Sequence, residues 1–271
     1  MIAPKDKQGE EERPRKPTKR LSAIGLQLAD LVFGRRCAMC SVDLPETQVL
    51  PLRLCHGCES QLCLPLPPLC PKCGSRYPQG QTPAEDCSRC RKRKLPFREM
   101  VCLGMYDGKL REAILKAKHA RNQPLAAALA ELLYNKRREK LLSLECDLVV
   151  PIPMHWRRRW LRGVNHTETQ AAELGARLGL PVKHALRRVI ATEPQGGLSA
   201  SARRKNIRGA FRKRFRFKVK DARILLVDDI VTTGATCTEA ARSLRRAGAA
   251  SVDIAVISRA DRPIPVPRNR L

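Results

Sequence analysis

The chain shows a regular alternation of two hydrophobic patterns from Arg98 onward. Apolar runs of strand length occupy Met100–Tyr106, Asp147–Ile152, Arg223–Val227 and Ser251–Ile257, and a weaker run occupies Val182–Ile190. Apolar residues recur at helical spacing in Asp107–Lys118, Gln123–Lys140, Val164–Leu178 and Thr236–Arg246. Strands that alternate with helices are typical of a parallel sheet covered by helices, so the pattern predicts an α/β fold.

The N-terminal third of the chain lacks this alternation. Residues 1–20 carry prolines and charges of both signs, a composition that predicts a disordered tail. Leu21, Ile24, Leu28, Leu31 and Val32 recur at helical spacing and predict a short amphipathic helix. Residues 37–90 hold nine of the twelve cysteines without regular periodicity, so we expect a metal rather than an apolar core to hold this segment together.

The cysteines of this segment form four CxxC pairs. A CxxC turn points two thiolates at one metal, and two such turns complete a tetrahedral site. The gaps are similar, with 14 residues between Cys40 and Cys55 and 13 between Cys73 and Cys87, which favours two structural zinc ribbons in series over interleaved sites. Iron–sulfur ligation is the main alternative, and a redox pair or disulfides are weaker ones. The predicted zinc ligands are Cys37, Cys40, Cys55, Cys58, Cys70, Cys73, Cys87 and Cys90.

The charge of the chain is strongly positive. Lys and Arg number 53 against 26 Asp and Glu, a formal net charge of +27, and such a surplus attracts polyanions. A bias that only keeps the protein soluble is the alternative. No apolar run approaches the roughly 18 residues that a membrane helix needs, and the charged N-terminus lacks the features of a secretory signal. We therefore expect a cytoplasmic protein with reduced thiols and no membrane insertion.

The most informative segment is Ile224–Thr236, with the sequence ILLVDDIVTTGAT. Four apolar residues predict a buried strand, and two acids and a Thr/Gly loop follow at its carboxyl end, where open α/β sheets bind ligands. Backbone amides of a loop that enters a helix cradle phosphate, whereas neighbouring carboxylates accept hydrogen bonds from a sugar diol. Together these groups suit a ribose 5-phosphate.

This segment resembles the phosphoribosyl pyrophosphate (PRPP) motif of type I phosphoribosyltransferases. The resemblance implies that Asp228 and Asp229 hold the ribose hydroxyls and are the catalytic residues, with Mg²⁺ bound alongside PRPP. It also implies a 5-phosphate site at Thr232, Thr233, Gly234, Ala235 and Thr236.

Three further segments, Tyr106–Ala126, Val149–Gly175 and Glu193–Phe211, resemble the ComF family of competence proteins, and the likeness runs from Arg35 to Arg259. That family joins a double zinc ribbon to a phosphoribosyltransferase-like domain. The resemblance implies a parallel-sheet type I phosphoribosyltransferase fold with a small N-terminal double zinc ribbon. His166 stands where a Gln is expected. The implied pyrophosphate loop is Pro151, Ile152, Pro153 and Met154, and the implied flexible basic residues are Arg157, Arg158, Arg159, Arg162 and Lys205.

These observations divide the chain into four predicted parts. A disordered basic tail with a short helix covers 1–34, and the double zinc ribbon covers 35–92. The phosphoribosyltransferase-like domain covers 93–259, and a second tail covers 260–271.

A basic segment follows within the α/β part. Arg203–Lys220 contains ten Lys and Arg residues, no acid, and the interleaved Phe211, Phe215 and Phe217. Cations for phosphates and aromatic faces for bases suit single-stranded nucleic acid. A short strand over Phe215–Val219 would instead bury the phenylalanines on one face. The candidate nucleic-acid contacts are Arg203, Arg204, Arg208, Arg212, Lys213 and Arg214.

Two functions follow from the resemblance. The first is a PRPP-binding protein that handles single-stranded DNA in natural transformation or DNA uptake, with a DNA-uptake helicase or recombination proteins as partners. The alternative is an active Mg²⁺-dependent phosphoribosyltransferase of nucleotide metabolism with an unknown acceptor. A zinc-stabilised scaffold with an inactive site is a third hypothesis, against which the intact Asp228, Asp229 and Gly234 argue.

Overall fold

The structure is a computed structural model that describes residues 36–45, 53–77, 87, 89–91, 93–154, 165–190 and 200–260. The predicted N-terminal tail and helix, the predicted basic segment Arg157–Arg162 and residues 261–271 lie outside the described residues. None of the described helices is long and apolar enough to cross a membrane.

A four-stranded parallel sheet with the strand order β1-β6-β5-β2 forms the centre of the α/β part. Its strands are β1 (Met100–Met105), β2 (Leu148–Pro151), β5 (Arg223–Val231) and β6 (Ser251–Arg259). In the register, Leu226 of β5 pairs with Val150 of β2 on one side and with Ile254 of β6 on the other. The predicted parallel α/β sheet is confirmed. A separate antiparallel pair consists of β3 (Leu186–Arg188) and β4 (Phe211–Lys213).

The helices begin and end where local sequence favours it. Pro124 lies in the first turn of α3 (Gln123–Leu142), where its missing N–H costs nothing. The Asn165 side chain accepts a hydrogen bond from the Thr167 N–H and starts α4 (His166–Leu178), and Gly179 ends α4 with a φ of 68°. The helices are α1 (His56–Leu62), α2 (Gly108–Ala117), α3 (Gln123–Leu142), α4 (His166–Leu178), α5 (Ala200–Ile207) and α6 (Ala235–Arg246).

The sheet divides the apolar residues into two cores, because successive strand residues point to opposite faces. Leu225 and Val227 of β5 lie in one core together with the apolar residues of α2, α3 and α4. Ile224 and Leu226 lie in the other core with α6 and with Leu186 and Phe211 of the antiparallel pair. The sheet is therefore covered on both faces, which fixes the carboxyl ends of its strands at one rigid edge.

The cysteine region packs directly on the α/β part. Cys37, Leu54 and Leu62 are buried in the same core as α2 and α3. Farther along, the Met100 N–H at the start of β1 donates a hydrogen bond of 2.8 Å to the Pro71 carbonyl. The two parts of the chain thus share packing and backbone contacts.

Between residues 182 and 220 the structure corrects two sequence predictions. The weak strand predicted at Val182–Ile190 is limited to three residues, Leu186–Arg188. The strand predicted at Phe215–Val219 is wrong, because β4 lies earlier and the chain turns at Arg214, whose carbonyl accepts from the Phe217 N–H at 3.3 Å. The turn places Phe215 in solvent, 97% exposed, instead of in the core.

Candidate functional site

A cleft of about 260 Å³ opens at the carboxyl ends of β2 and β5. This edge is where open α/β sheets bind ligands, since loops from several strands meet there. The structure brings both predicted loops to it: Ile152, Pro153 and Met154 after β2, and Asp228–Thr236 at the end of β5. Pro151 is instead the last, buried residue of β2.

The loop between β5 and α6 has the geometry of an anion cradle. Gly234 adopts a φ of 73° immediately before α6, a conformation that favours glycine. The Thr233 hydroxyl accepts a hydrogen bond of 3.3 Å from the Ala235 N–H, and the Gly234 carbonyl accepts from the Thr238 N–H at 2.8 Å. The loop thus presents main-chain amides and threonine hydroxyls at the start of a twelve-residue helix.

The two carboxylates next to this loop have different partners. One oxygen of Asp229 accepts from His166 Nε2 at 2.9 Å and from Lys118 Nζ at 3.2 Å. Asp228 accepts from the Asp229 N–H at 3.0 Å, and its other oxygen lies 3.9 Å from the Cys237 sulfur. No cation among the described residues forms an ion pair with Asp228.

These partners separate the two acids electrostatically. Burial, and then the adjacent charge of Asp229, raise the pKa of Asp228 well above its ordinary value. Burial acts on Asp229 in the same sense, but the hydrogen bond from His166 and the ammonium of Lys118 outweigh it and lower its pKa. The pair therefore presents one ionised carboxylate beside one that retains its proton more readily.

Sequence reasoning did not identify Lys118 and His166 as site residues. Lys118 follows α2, and His166 is the first residue of α4, so neither is near Asp229 in the chain. The His166 side chain is only 5% exposed, and the described residues offer its Nδ1 no hydrogen-bond partner. The occurrence of His166 in place of the expected Gln is the one feature of the sequence that indicates a role for it in the site.

The other predicted site residues are spread over the surface. Arg208, Arg212 and Arg214 are exposed, whereas Lys213 is half-buried and its ammonium donates to the Phe217 carbonyl at 3.1 Å. Lys205 is exposed on α5 and does not line the cleft. The side chains of Arg203 and Arg204 lie outside the described residues.

The eight predicted zinc ligands form two tetrads, grouped as the sequence predicts. The first contains Cys37, Cys40, Cys55 and Cys58, and the second contains Cys70, Cys73, Cys87 and Cys90; within each, all four sulfurs lie within 4.8 Å of one another. Sulfur pairs 3.7 Å apart occur in both tetrads. Zn–S bonds of about 2.3 Å in a tetrahedron require sulfur separations of about 3.8 Å, so the geometry fits zinc.

Electrostatics in the tetrads also fit a bound cation. Although burial acts against it, hydrogen bonds from backbone amides, that of Cys55 first, lower the pKa of Cys37 to about 7. Burial and the neighbouring sulfurs raise the pKa values of Cys58 and Cys90. Four thiolates this close repel one another, and a divalent cation removes that repulsion.

The second tetrad is linked to the loop between β5 and α6 by one buried side chain. Arg259, at the end of β6, is 6% exposed. Its Nη1 donates to the Thr232 carbonyl at 2.6 Å and its Nη2 donates to the Ser75 hydroxyl at 2.8 Å. Ser75 in turn follows Gly74, whose φ of 67° closes the turn that starts at Cys70. The guanidinium therefore connects the cysteine turn with the loop that lines the cleft.

Comparison with known proteins finds one matching family and several similar proteins. The phosphoribosyl transferase domain matches residues 119–269. Competence protein F of Haemophilus influenzae is 31% identical over 238 residues, which cover 84% of this chain and 98% of that protein. The DNA utilization protein YhgH of Escherichia coli K12 is 35% identical over 191 residues, 69% of this chain and 82% of that protein. Among solved structures, the purine phosphoribosyltransferase of Pyrococcus horikoshii is 18% identical, with a TM-score of 0.31, and the match covers 59% of this chain and 89% of that one.

Proposed function

The chain belongs to the phosphoribosyl transferase domain family and, within it, to the competence protein F group, and on this premise we propose that its cleft binds PRPP and that the protein handles single-stranded DNA. The observation that carries the PRPP part is the placement of Asp228, Asp229 and the Gly234 loop on one open cleft. The two carboxylates match the ribose hydroxyls of a ribose 5-phosphate, and the loop amides match its phosphate.

The sugar would lie against the carboxylates at the end of β5, and the phosphate would lie against the loop that follows. The ionised Asp229 accepts a hydrogen bond from one ribose hydroxyl, and the carboxylate of Asp228 accepts one from the neighbouring hydroxyl. The 5-phosphate lies against the amides between Thr233 and Thr236, where the dipole of α6 favours negative charge. Adjacent carboxylates would repel a phosphate, so the reverse orientation is unfavourable.

Oxygen ligands beside a diphosphate suit Mg²⁺, which binds through one or two carboxylates and keeps several waters. Asp228 and Asp229 would hold it, directly or through water. When bound, Mg²⁺ supplies positive charge that offsets the diphosphate. Both carboxylates are needed in their ionised form for this, so Mg²⁺·PRPP binding should strengthen as pH rises through the raised pKa of Asp228.

Lys118 has a second role in this arrangement. Its ammonium pairs with Asp229 and also lines the cleft. The ammonium carries a flexible stem and is 24% exposed, so it can turn from Asp229 toward the diphosphate of the ligand. His166 then keeps Asp229 in place, because its hydrogen bond of 2.9 Å does not depend on Lys118.

DNA handling is supported by the surface charge and by the family. The relatives are named for competence and for DNA utilization, and the formal net charge of +27 favours a polyanionic partner. We further propose that zinc occupies both cysteine tetrads and that the protein is cytoplasmic, where the thiols stay reduced until the metal binds.

Pentosyl transfer is a second candidate function for the same cleft. It is favoured by the ionised Asp229, because a fixed negative charge beside the ribose stabilises the positive charge that develops at the anomeric carbon when the diphosphate leaves. Release of pyrophosphate from PRPP in the presence of candidate acceptors would test it.

Thermal unfolding with Mg²⁺ and PRPP tests the binding site. A ligand that binds only the folded state stabilises it by about 2.7 kcal/mol at a hundred times its Kd, which raises the Tm by about 5–10 °C for a chain of this size. We expect this shift in the wild type and its loss in the double variant D228N/D229N. Ribose 5-phosphate should give a smaller shift that D228N/D229N also loses.

Asp221→Asn is the matched control, because Asp221 is exposed outside the cleft and has a φ of 59° that Asn adopts readily. This variant should keep the full shift. A full shift in D228N/D229N would show that PRPP binds elsewhere.

A further inference from the structure

Phe215 is an aromatic residue in an unusual environment. Its exposed fraction is 97%, the highest among the large hydrophobic residues that the structure describes as exposed. Burial of a phenylalanine ring is favourable by about 1.5–3 kcal/mol, yet the fold leaves this ring entirely in solvent. The neighbouring Phe211 is fully buried and Phe217 packs against the core, so the exposure concerns Phe215 alone within this segment.

The backbone around Phe215 is held in place. The Phe217 N–H donates to the Arg214 carbonyl at 3.3 Å and closes a turn with Phe215 and Arg216 at its tip. The Lys213 ammonium donates to the Phe217 carbonyl, and the Arg214 N–H donates to the Ala185 carbonyl at 2.8 Å. Because both ends of the turn are anchored, the ring is presented on a fixed platform.

The residues around this turn are cationic and lack acidic partners. Arg212, Arg214 and Arg216 are exposed, and within the described part of the chain their side chains form no ion pair. In the antiparallel pair Arg187 stands directly opposite Arg212, an arrangement of like charges that is unfavourable without a counter-charge. By contrast, exposed cations elsewhere do find acids, as Lys109 and Lys116 do with Glu112.

We propose that Phe215 stacks on an unpaired base of single-stranded DNA while Arg212, Arg214 and Arg216 contact the adjacent phosphates. An aromatic face offers sequence-tolerant contact to any base, and the cations follow the backbone. A duplex keeps its bases stacked and would leave the ring without a partner. This inference rests on the proposed handling of single-stranded DNA and adds the residue that holds the base.

The antiparallel pair also connects this platform with the cleft. Arg188 lines the cleft and pairs with Phe211, four positions before Phe215. At about 3.3 Å for each extended residue, the Cα atoms of Phe211 and Phe215 are at most about 13 Å apart, so a DNA strand that runs from Phe215 toward β4 approaches the cleft.

A double-mutant cycle between protein and ligand tests the proposal. The protein is wild type or Phe215→Leu, which keeps an apolar side chain without an aromatic face. The ligand is a labelled thymidine strand or an abasic deoxyribose-phosphate strand of equal length. F215L should raise the Kd for the thymidine strand about fivefold to tenfold, the lower end of what one stacked base contributes, because leucine keeps an apolar contact, and should leave the Kd for the abasic strand unchanged.

Several readouts separate base stacking from a purely electrostatic contact. Phe215→Trp should restore thymidine binding, and F215L should have an unchanged Tm and an unchanged salt dependence, because it removes no phosphate contact. Equal affinity of F215L and the wild type for the thymidine strand would overturn the stacking proposal while DNA handling stands. Equal weakening of both strands would overturn it as well. Absence of salt-dependent binding by the wild type would overturn DNA handling itself.

Discussion

Asp228 and Asp229 are adjacent carboxyl groups whose environments oppose each other. Asp229 is paired with Lys118 and His166, whereas Asp228 is half-buried beside that negative charge, without a cation of its own among the described residues. A carboxyl group kept in such a position lowers the stability of the unliganded protein. Sites that bind polyanions and cations commonly carry this cost, which the ligand offsets.

Asp228→Asn should stabilise the unliganded protein while abolishing PRPP binding. The folded-state pKa of Asp228 is raised, so the wild type loses stability as pH rises from the ordinary range of aspartate through that raised pKa. The variant lacks this loss of stability, because the asparagine side chain does not titrate. We expect its Tm at pH 7 to exceed that of the wild type, with convergence of the two below about pH 4. A lower Tm for Asp228→Asn at pH 7 would contradict this view of the pair.

The residues of the site were predictable only where chemistry is local in sequence. Asp228, Asp229 and Gly234 belong to one strand–loop–helix segment, and its pattern alone indicates a sugar-phosphate site. Lys118 and His166 reach Asp229 from the ends of two different helices. Their role depends on how α2 and α4 pack on the sheet, which a single sequence does not specify.

Among the elements, β5 and β6 illustrate why the central sheet was predictable. The apolar Ile224–Val227 of β5 and all nine residues of β6 are buried, and the amphipathic helices around them match the predicted ranges closely. α5 was not predicted, because Ala200–Ile207 has no apolar stripe and its residues fit a solvent-exposed segment equally well. The strand predicted at Phe215–Val219 failed because alternation of Phe and basic residues also suits a turn whose tip is in solvent.

Arg259 connects the loop at Thr232 with the cysteine turn at Ser75, so Arg259→Lys should weaken PRPP binding although Arg259 lies outside the proposed ligand contacts. A lysine ammonium cannot reach both the Thr232 carbonyl and the Ser75 hydroxyl, which the planar guanidinium does. Loss of one charged hydrogen bond costs about 1.5–3 kcal/mol, and we expect a rise of about tenfold in the Kd for PRPP.

Ser75→Ala is the matched variant for this link. It removes the hydrogen bond between Arg259 and the Ser75 hydroxyl and leaves the one to the Thr232 carbonyl. Calorimetric titration should give Ser75→Ala a smaller loss of PRPP affinity than Arg259→Lys, with the zinc content of both equal to that of the wild type. Wild-type PRPP affinity in Arg259→Lys would show that the two elements are independent.

Across the protein surface, the charge surplus is unevenly compensated. Some surface cations are paired with acids, whereas those of the Arg212–Arg216 segment form no ion pairs within the described residues. Because release of counterions drives binding, log Kobs for single-stranded DNA should fall linearly with log salt by about 0.7 for each phosphate neutralised.

Neutralising the exposed arginines tests whether this surface contacts the phosphates of single-stranded DNA. R212Q/R214Q/R216Q should reduce that slope by about 2, whereas K109Q/K116Q, which removes the cations paired with Glu112, should change it little. A slope unchanged in the triple variant would place the phosphate contacts on another surface.

The proposed function depends on one strand end that delivers two carboxylates and an amide-rich loop to a single sugar-phosphate. A crystal structure with PRPP and Mg²⁺ tests this arrangement. We expect the ribose hydroxyls within hydrogen-bond distance of Asp228 and Asp229, and the 5-phosphate on the amides between Thr233 and Thr236. A 5-phosphate bound away from that loop, or a ribose with no contact to either carboxylate, would contradict the proposed binding mode.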